Sequence, residues 1–275
     1  MSQSLFNYEG KHVLVIGAAT GMGAAAAILV SSLGARVTAM DIAGIDYDVD
    51  QSISLNLNNK ASIDAAVDKI EGKVDVIFAC AGVADGTPNI MLINFTGQRH
   101  LIDSLLARDG INRGGSIVMI SSVGGLPWVI NLANVNEFLA TTEWDAAVAW
   151  VEAHPGTDSY TFSKQAVSGY VAREALPMLK KGIRINAIQP GPTDTPLARA
   201  NADIWLAFGQ DYRDEAGVSH LKPEDMANVL AFLGSDAASG VSGVNMLVDQ
   251  GQIGAGLTDA FPAPFVKAMY GLAVE

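Results

Sequence analysis

The residues best suited to chemistry are Tyr160 and Lys164, which are four positions apart. Residues at this spacing share one face of a helix, so the phenol and the ammonium could reach one site. A free tyrosine, with a pKa of about 10, is a poor base at neutral pH, but a nearby ammonium favours the phenolate. The pair alone is a weak pattern. Its position strengthens it, because Ser121 and Ser122 end the predicted strand that precedes the helix.

A second candidate site is the glycine-rich segment at residues 17–23, Gly-Ala-Ala-Thr-Gly-Met-Gly. Glycines allow a tight turn and close approach to a pyrophosphate, and a helix N-terminus offers free N–H groups to an anion. The spacing differs from the commonest dinucleotide fingerprint, so a turn without a ligand is the alternative. The expected cofactor contacts in this loop are Gly17, Thr20, Gly21, Met22 and Gly23.

Asp41 bears on the type of cofactor. It ends the second predicted strand, near the distance of about 20 residues at which dinucleotide sites carry an acidic residue. A carboxylate there accepts hydrogen bonds from the ribose hydroxyls of NAD and repels the phosphate of NADP. Ala18, Ala19 and Ile42 supply no cation for that phosphate. The sequence therefore favours NAD, with Asp41 and Ile42 at the ribose; the alternative for Asp41 is a loop cap.

The elements that must position these residues alternate between strands and helices. Apolar runs predict strands over 13–16, 36–40, 52–57, 74–79, 116–120, 184–188 and 244–248. Helices are predicted over 21–33, 61–70, 91–108, 158–179 (up to roughly Pro177) and 223–233. Continuous apolar runs are typical of strands that are covered on both faces. We therefore predict an α/β fold: a single domain, 1–275, built on a Rossmann-type doubly wound parallel sheet of about seven strands.

Two places interrupt this alternation. The connection 41–52 is short for a crossover helix, and that helix is expected to be missing. A helical insert at 124–157, helical over 139–151, separates the fifth strand from the catalytic helix. Its aromatic residues are expected mainly to pack it onto the body, although its first residues must lie near Ser122. These aromatic residues are Trp128, Phe138, Trp144 and Trp150.

The composition limits the kind of protein this can be. The chain has 275 residues, 49% hydrophobic and 17% charged, enough to bury a large core. Its net charge of −12 disfavours nucleic acid as a partner. The lone Cys80 excludes an intrachain disulfide, and the four histidines are too scattered to suggest a metal site. With neither a signal peptide nor a membrane-spanning run, we expect a cytoplasmic protein without membrane or metal partners.

Taken in order, these motifs resemble those of the short-chain dehydrogenase/reductase family over nearly the whole chain, from the glycine loop to residues 248–251. The family's Asn-Asn-Ala-Gly segment appears at 79–82 as Ala-Cys-Ala-Gly, with both asparagines replaced. Its Pro-Gly loop appears at 190–195. The resemblance implies that the catalytic residues are Asn94, Ser122, Tyr160 and Lys164.

The family's roles carry over as expectations. Ser122 would hold the substrate oxygen, and Tyr160 would exchange the proton. Lys164 would lower the tyrosine pKa and bind the nicotinamide ribose, and Asn94 would order a water of the proton relay. The cofactor contacts implied by the loop and the resemblance together are Gly17, Thr20, Gly21, Met22, Gly23, Asp41, Ile42, Asn56, Leu57, Ala81, Gly82, Tyr160, Lys164, Pro190, Thr193 and Thr195.

The long insert and the short connections 41–56 and 82–94 resemble the bacterial 3α-hydroxysteroid dehydrogenase/carbonyl reductase subgroup. This implies an NAD-dependent alcohol dehydrogenase or ketone reductase for a bulky apolar substrate, steroid or alicyclic. Two alternatives remain: a non-catalytic NAD-responsive binding protein, which would need only the glycine loop, and a sugar-nucleotide epimerase or dehydratase, which needs a larger C-terminal domain.

The resemblance also implies a homodimer or homotetramer. The insert is expected to cover the helix surface through which family members often pair, so that association would use 223–233 and 244–248. The insert is also expected to wall one side of the substrate pocket. The tail, 252–275, is expected to close another side with residues 261–270.

Overall fold

The computed structural model describes residues 5–272. The ends of the predicted domain and tail, residues 1–4 and 273–275, lie outside the described residues. Within 5–272 the chain forms a seven-stranded sheet in the order β3-β2-β1-β4-β5-β6-β7, and every neighbouring pair is parallel. The strands are β1 (His12–Ile16), β2 (Arg36–Asp41), β3 (Gln51–Ser54), β4 (Val74–Ala79), β5 (Ile111–Ile120), β6 (Arg184–Pro190) and β7 (Asn245–Val248).

Helices cover both faces of this sheet. The helices are α1 (Gly21–Ser32), α2 (Lys60–Asp68), α3 (Gly97–Ala107), α4 (Leu132–Leu139), α5 (Trp144–Ala153), α6 (Tyr160–Lys181), α7 (Pro196–Arg199), α8 (Ala202–Trp205), α9 (Gln210–Ala216), α10 (Pro223–Gly234), α11 (Gln252–Leu257) and α12 (Pro264–Met269). A π-helical turn lies at Leu92–Thr96, and 3₁₀ turns lie at Val123–Trp128 and Asp236–Ala238. As expected, residues 42–50 contain no helix.

Two hydrophobic cores, one on each face, explain the apolar strand sequences. Successive residues of β1 point to opposite sides: Val13 and Val15 belong to one core, Leu14 and Ile16 to the other. All four are fully buried. Side chains on both faces of β1 are therefore apolar, as is typical of a parallel strand that is covered by helices on both sides. The predicted fold class is confirmed.

The strand order reverses at β1, which pairs with β2 on one side and with β4 on the other. Doubly wound sheets bind ligands beyond the carboxyl ends of the strands at such a switch point. The chain leaves these strand ends at Gly17, Ile42, Cys80, Ser121 and Gly191. The predicted site residues follow the same strand ends.

Some predicted element boundaries were wrong, for local reasons. β3 ends at Ser54 rather than at residue 57, because the side chain of Asn56 accepts a hydrogen bond from the Asn58 N–H (3.0 Å) and turns the chain towards α2. The helix predicted over 91–108 begins with the π-helical turn. Gly97 follows that turn, and a Cβ there would clash with the Leu57 carbonyl oxygen.

The catalytic helix and the insert also differ from the prediction. α6 continues past Pro177 to Lys181, because Met178 stays buried against the core and Gly182 ends the helix in a left-handed conformation (φ 75°). The insert contains two helices, α4 and α5, rather than one helix over 139–151. Between residues 5 and 272, no helix is both long and apolar enough to cross a bilayer.

Candidate active site

Two cavities share a wall at the carboxyl edge of the sheet. The substrate-side cavity, about 380 Å³, lies over the ends of β5 and β6 and the start of α6. The loop-side cavity, about 350 Å³, lies over the ends of β1, β2 and β4. A ligand in one could therefore touch a ligand in the other. Both cavities are lined by Met22, Cys80, Gly82, Thr195 and Leu197.

The loop-side cavity has the features that a dinucleotide needs. Gly17 has a left-handed conformation (φ 81°), and a Cβ there would clash with Ala81 on the loop after β4. The N-cap Thr20 makes no side-chain cap bond, and the first turn of α1 holds no acidic residue. The helix N-terminus therefore faces the cavity with N–H groups available to a pyrophosphate. The residues that line the loop-side cavity therefore fit the dinucleotide that the sequence predicts.

Asp41 fastens the glycine loop to the end of β2. Its Oδ2 accepts a hydrogen bond from the Ala19 N–H (2.9 Å), and its Oδ1 accepts one from the Ala43 N–H (3.0 Å). Asp41 thus caps the loop and also lines the cavity, so the two roles considered for it are compatible. A carboxylate oxygen has a second lone pair for a ribose hydroxyl. No lysine or arginine lies among the lining residues described for this cavity.

Tyr160 opens α6 and lines the substrate-side cavity. Burial raises the pKa of Tyr160 above its ordinary value, the hydrogen bond with the Ser122 hydroxyl lowers it, and the Asp85 carboxylate raises it. Ser122 is itself held at the end of β5, where its Oγ accepts a hydrogen bond from the Gly124 N–H (3.1 Å). The tyrosine and serine hydroxyls are therefore placed to share one substrate oxygen.

Lys164 lies one helical turn beyond Tyr160 and is almost completely buried. Its Nζ donates to the Ile120 carbonyl (2.8 Å) and lies 5.5 Å from the centroid of the Tyr160 ring. Burial lowers the pKa of Lys164 to about 8. The hydrogen bond with the Ser122 hydroxyl lowers the Tyr160 pKa, and the lowering by Lys164 that the resemblance implies stays a prediction. The lysine ammonium is bonded to the backbone.

Asn94 lies behind the cavities, in the π-helical turn, and is fully buried. Its Oδ1 accepts from the Val83 N–H (2.8 Å), while its Nδ2 donates to the Val83 carbonyl (3.0 Å) and to the Ser163 Oγ (3.1 Å). Both amide hydrogens are used within the protein. The structure thus gives Asn94 a bracing role between the loop after β4 and the catalytic helix, and its water-ordering role stays a prediction.

The other predicted cofactor residues lie on the cavity walls, with one exception. Gly23 lies behind the lining, where a Cβ would clash with the Gly17 carbonyl oxygen, so this glycine permits close packing of α1 on β1. Pro190 and Thr193 line the substrate-side cavity. The residues that line the loop-side cavity are Gly17, Thr20, Gly21, Met22, Asp41, Ile42, Asn56, Leu57, Ala81, Gly82 and Thr195.

The lid, residues 196–216, was not predicted from the sequence; it contains α7 to α9. Trp205 of the lid lies against Tyr160, with 4.6 Å between the ring centroids. The buried Arg213 holds this segment by donating to the carbonyls of Leu206 (2.5 Å) and Phe208 (2.7 Å). The only signal was a set of apolar residues after the Pro-Gly loop. The lid side chains that line the substrate-side cavity are Leu197, Ala198, Ile204, Trp205 and Phe208.

The insert lies elsewhere than expected. Among the described residues of 124–157, Gly124 alone lines the substrate-side cavity, so the expectation that the insert walls the pocket was wrong beyond its first residue. Phe138 packs on Phe95 (5.5 Å between centroids), and Trp150 stacks on Phe162 (5.6 Å). These contacts place the insert on α6 and the π-helical turn. It covers that surface, as expected.

The tail, rather than the insert, forms a wall of the substrate-side cavity. Met269 of α12 lines the substrate-side cavity, and Phe265 contacts Phe208 of the lid, with 5.1 Å between ring centroids. Tyr212 and Phe261 form a second contact between lid and tail (5.3 Å). Within the described part of the tail, residues 252–272, the expected closing role is therefore met.

Neither metal nor thiol chemistry is supported by the side chains at the site. Across residues 5–272, no group of three or more His, Cys, Asp or Glu side chains is arranged to hold a metal ion. Burial raises the pKa of the Cys80 thiol to about 12, so the nucleophilic thiolate is disfavoured. Cys80 is a small, half-buried side chain between the cavities.

Two family models match the chain. The model of short chain dehydrogenases matches residues 11–134, and a model described as enoyl-(acyl carrier protein) reductase matches residues 145–252. The matched ranges include the glycine loop and Ser122 in the first case, and Tyr160 and Lys164 in the second.

Individual proteins are similar over most of their length. Coniferyl-alcohol dehydrogenase of Pseudomonas sp. strain HR199 is 29% identical, covering 88% of this chain and 96% of that protein. The 3-alpha-hydroxysteroid dehydrogenase/carbonyl reductase of Comamonas testosteroni is 30% identical, covering 87% and 95%. The crystal structure of the 3-alpha-hydroxysteroid dehydrogenase of Pseudomonas sp. B-0831, complexed with NADH, superposes with a TM-score of 0.72 at 26% identity, covering 90% and 98%.

Proposed function

Because this chain belongs to the short-chain dehydrogenase family of oxidoreductases, we propose that it transfers a hydride between NAD(H) and a secondary alcohol or ketone that is bulky and apolar. One observation carries the proposal. Ser122, Tyr160 and Lys164 converge on a cavity that shares a wall with a second cavity suited to a dinucleotide. A proton site and a hydride site would thus meet at one carbon–oxygen bond.

The loop-side cavity would hold the cofactor through groups of different kinds. The N-terminus of α1 and the turn at Gly17 would receive the pyrophosphate, and Asp41 would accept hydrogen bonds from the adenosine ribose. When bound, NAD(H) supplies the hydride acceptor or donor of the reaction. The carboxylate of Asp41, with no cation beside it, supports NAD over NADP.

The protein's own groups would handle the proton. In the direction of alcohol oxidation, the Ser122 hydroxyl orients the substrate oxygen, and the Tyr160 phenolate takes the proton from the alcohol O–H. In ketone reduction, the Tyr160 hydroxyl returns that proton to the substrate oxygen. Lys164 is buried on the same helix face, where it braces the end of β5 through the Ile120 carbonyl. Its lowered pKa keeps part of its population neutral near pH 8.

The cavity supports a substrate class. A volume of about 380 Å³ lies in the range of roughly 300–1,000 Å³ that small-molecule sites occupy. Trp205, Phe208 and Met269 give it apolar walls above Tyr160. The names of two relatives, a coniferyl-alcohol dehydrogenase and a hydroxysteroid dehydrogenase, both denote ring-bearing alcohols. These points support a ring-bearing alcohol or ketone.

Tyr160→Phe tests the chemistry. This change removes the hydroxyl that exchanges the proton, so we expect kcat for reduction of cyclic ketones by NADH to fall by about 100-fold or more. NADH affinity, measured by calorimetry, should change little because the glycine loop is untouched.

Tyr170→Phe, on the same helix, is the matched control and should retain most of the activity. A Tyr160→Phe variant with full turnover would place the proton transfer on another residue. If the unaltered protein neither reduces cyclic ketones with NADH nor oxidises ring-bearing alcohols with NAD, the proposed function is wrong.

A further inference from the structure

The loop after β4 and the start of the catalytic helix cap each other. The Oδ1 of Asp85, in this loop, accepts a hydrogen bond from the Tyr160 N–H (2.7 Å). In return, the Oδ1 of Asp158, just before α6, accepts one from the Met91 N–H at the start of the π-helical turn (2.9 Å). N–H groups in a first helical turn have no partner within their helix, so each carboxylate satisfies a donor that would otherwise be free.

The loop that carries Asp85 is fixed at several points. Asn94 bonds both the N–H and the carbonyl of Val83, and Ala84 and Ile90 are buried. Asn94 also donates to the Ser163 Oγ, which in turn donates to the Tyr160 carbonyl (2.6 Å). The short connection therefore meets the first turn of α6 at two places. Asp85 is exposed, but the residue before it, Ala84, is buried.

The charged groups that face the Tyr160 side chain come from two elements. Lys164 lies on its own helix, with Nζ 5.5 Å from the ring centroid, and Asp85 lies on the loop after β4. β5 contributes the Ser122 hydroxyl, and the lid contributes the uncharged Trp205 ring. Burial is the main cause that raises the Tyr160 pKa, and the Asp85 carboxylate adds to it, because a nearby negative charge disfavours the phenolate.

We propose that Asp85 is a positioning residue for Tyr160: its cap fixes the first turn of α6, and its carboxylate, exposed beside that turn, disfavours ionisation of the phenol. The inference rests on the proposed function and deepens it. A tyrosine that retains its proton at neutral pH is prepared to donate to a ketone oxygen, whereas alcohol oxidation requires its ionised form. Asp85 therefore moves the onset of alcohol oxidation to higher pH, in addition to the effect of burial.

The test separates the charge of Asp85 from its cap. Asp85→Asn removes the charge but leaves an oxygen that can accept from the Tyr160 N–H, whereas Asp85→Ala removes both. Asp158→Asn is the matched control, because it makes the same change in the partner cap. The titration of Tyr160 is followed by NMR of ¹³Cζ-labelled tyrosine in the protein without cofactor, with the signal assigned from Tyr160→Phe. The pH dependence of kcat/KM for alcohol oxidation is measured on the same variants.

In both measurements, the Tyr160 midpoint of Asp85→Asn should move to lower pH by roughly 0.3–1 unit. The shift should shrink in about 1 M salt, because Asp85 is exposed and its charge is screened. Asp85→Ala should show the same shift and, in addition, a lower kcat from the loss of the cap. Asp158→Asn should leave the midpoint unchanged.

If the Asp85→Asn titration overlays that of the unaltered protein, the charge role is overturned. If Asp85→Ala keeps the kcat of Asp85→Asn, the cap role is overturned. Both results can be distinguished from a failure of the proposed function. The NMR titration needs no turnover, and the proposed function is tested separately by the activity of Tyr160→Phe.

Discussion

The buried ammonium of Lys164 lowers the stability of the fold. Its ammonium is removed from water, and the Ile120 carbonyl is a neutral partner rather than a counter-ion. Burial of a charge with incomplete compensation destabilises a protein by several kcal/mol, and the lowered pKa of about 8 reflects the same desolvation. Asp85, by contrast, keeps its carboxylate in water and acts on Tyr160 from the surface. The two charges near the tyrosine thus differ in exposure as well as in sign.

Asp41 and Ile42 allow a test of the proposed preference for NAD. Asp41→Ala combined with Ile42→Arg removes the carboxylate and supplies a cation for a 2′-phosphate. We expect the unaltered protein to bind NADH more tightly than NADPH, and the double variant to reverse or abolish that preference. Calorimetry of both dinucleotides on both proteins measures it.

Part of this effect will come from the loop itself, because Asp41 also holds the Ala19 N–H. Asp41→Asn with Ile42→Arg keeps an acceptor for that N–H and serves as the control. Tighter binding of NADPH than NADH by the unaltered protein would contradict the assignment of Asp41.

We expect the lid to determine which sizes of substrate the substrate-side cavity accepts. Trp205 covers the Tyr160 ring, and the lid is fixed by Arg213 and by the tail, which contacts it at Phe208. A flat ring that enters the substrate-side cavity must contact the Trp205 face. The lid should therefore contribute binding energy for ring-bearing substrates rather than for small ones.

Trp205→Ala should raise KM for bulky cyclic ketones about tenfold, since an aromatic contact contributes roughly 0.5–1.5 kcal/mol beyond its buried area. KM for small acyclic ketones should change far less, and Trp205→Phe should restore most of the loss. Steady-state kinetics over a ketone size series measure these effects. Tighter binding of bulky ketones by Trp205→Ala would instead make Trp205 a steric barrier.

The elements differ in how much of them could be predicted. The strands could be predicted from the sequence, because β1 and its neighbours are buried on both faces and are therefore continuously apolar. The lid could not be, because α7, α8 and α9 have only 4, 4 and 7 residues, too few for a clear helical period. The π-helical turn depends on the fit of Gly97 against Leu57, a contact between distant parts of the chain.

The candidate site divides in the same way. It could be predicted that Tyr160, Lys164 and Ser122 meet at one cavity, because their types and order along the chain match the family motifs. Asp85 could not be predicted, since its role depends on a hydrogen bond to a residue 75 positions away. The full engagement of the Asn94 amide is likewise a property of the folded chain, as it involves Val83 and Ser163.

At the scale of the whole molecule, the insert covers an apolar face of the body. Phe138 and Trp150 lie over Phe95 and Phe162, and all four side chains are buried. With that face covered, self-association would use α10 and the edge strand β7, whose four residues are each partly exposed. We expect the native protein to be a homodimer or homotetramer built through that edge.

Replacing residues 132–154 by a short Gly-Ser linker tests the role of the insert. The change uncovers Phe95, Phe162 and Tyr170, which form an apolar patch of the kind that drives association. We expect a lower Tm and a larger particle by light scattering than for the unaltered protein. NADH affinity should be retained, because the loop-side cavity contains no residue of the insert.

Substrate selectivity gives the sharper test, because Gly124, the one insert residue on the substrate-side cavity, remains in this variant. Small and bulky ketones should lose kcat/KM by the same factor, through lower stability or altered assembly. Phe138→Ala, which disturbs the packing without removing the insert, is the control and should lower Tm without changing the ratio of bulky to small ketone activity. If the linker variant loses kcat/KM for bulky ketones only, the insert forms part of the pocket wall. That result would contradict the packing role assigned to its aromatic residues.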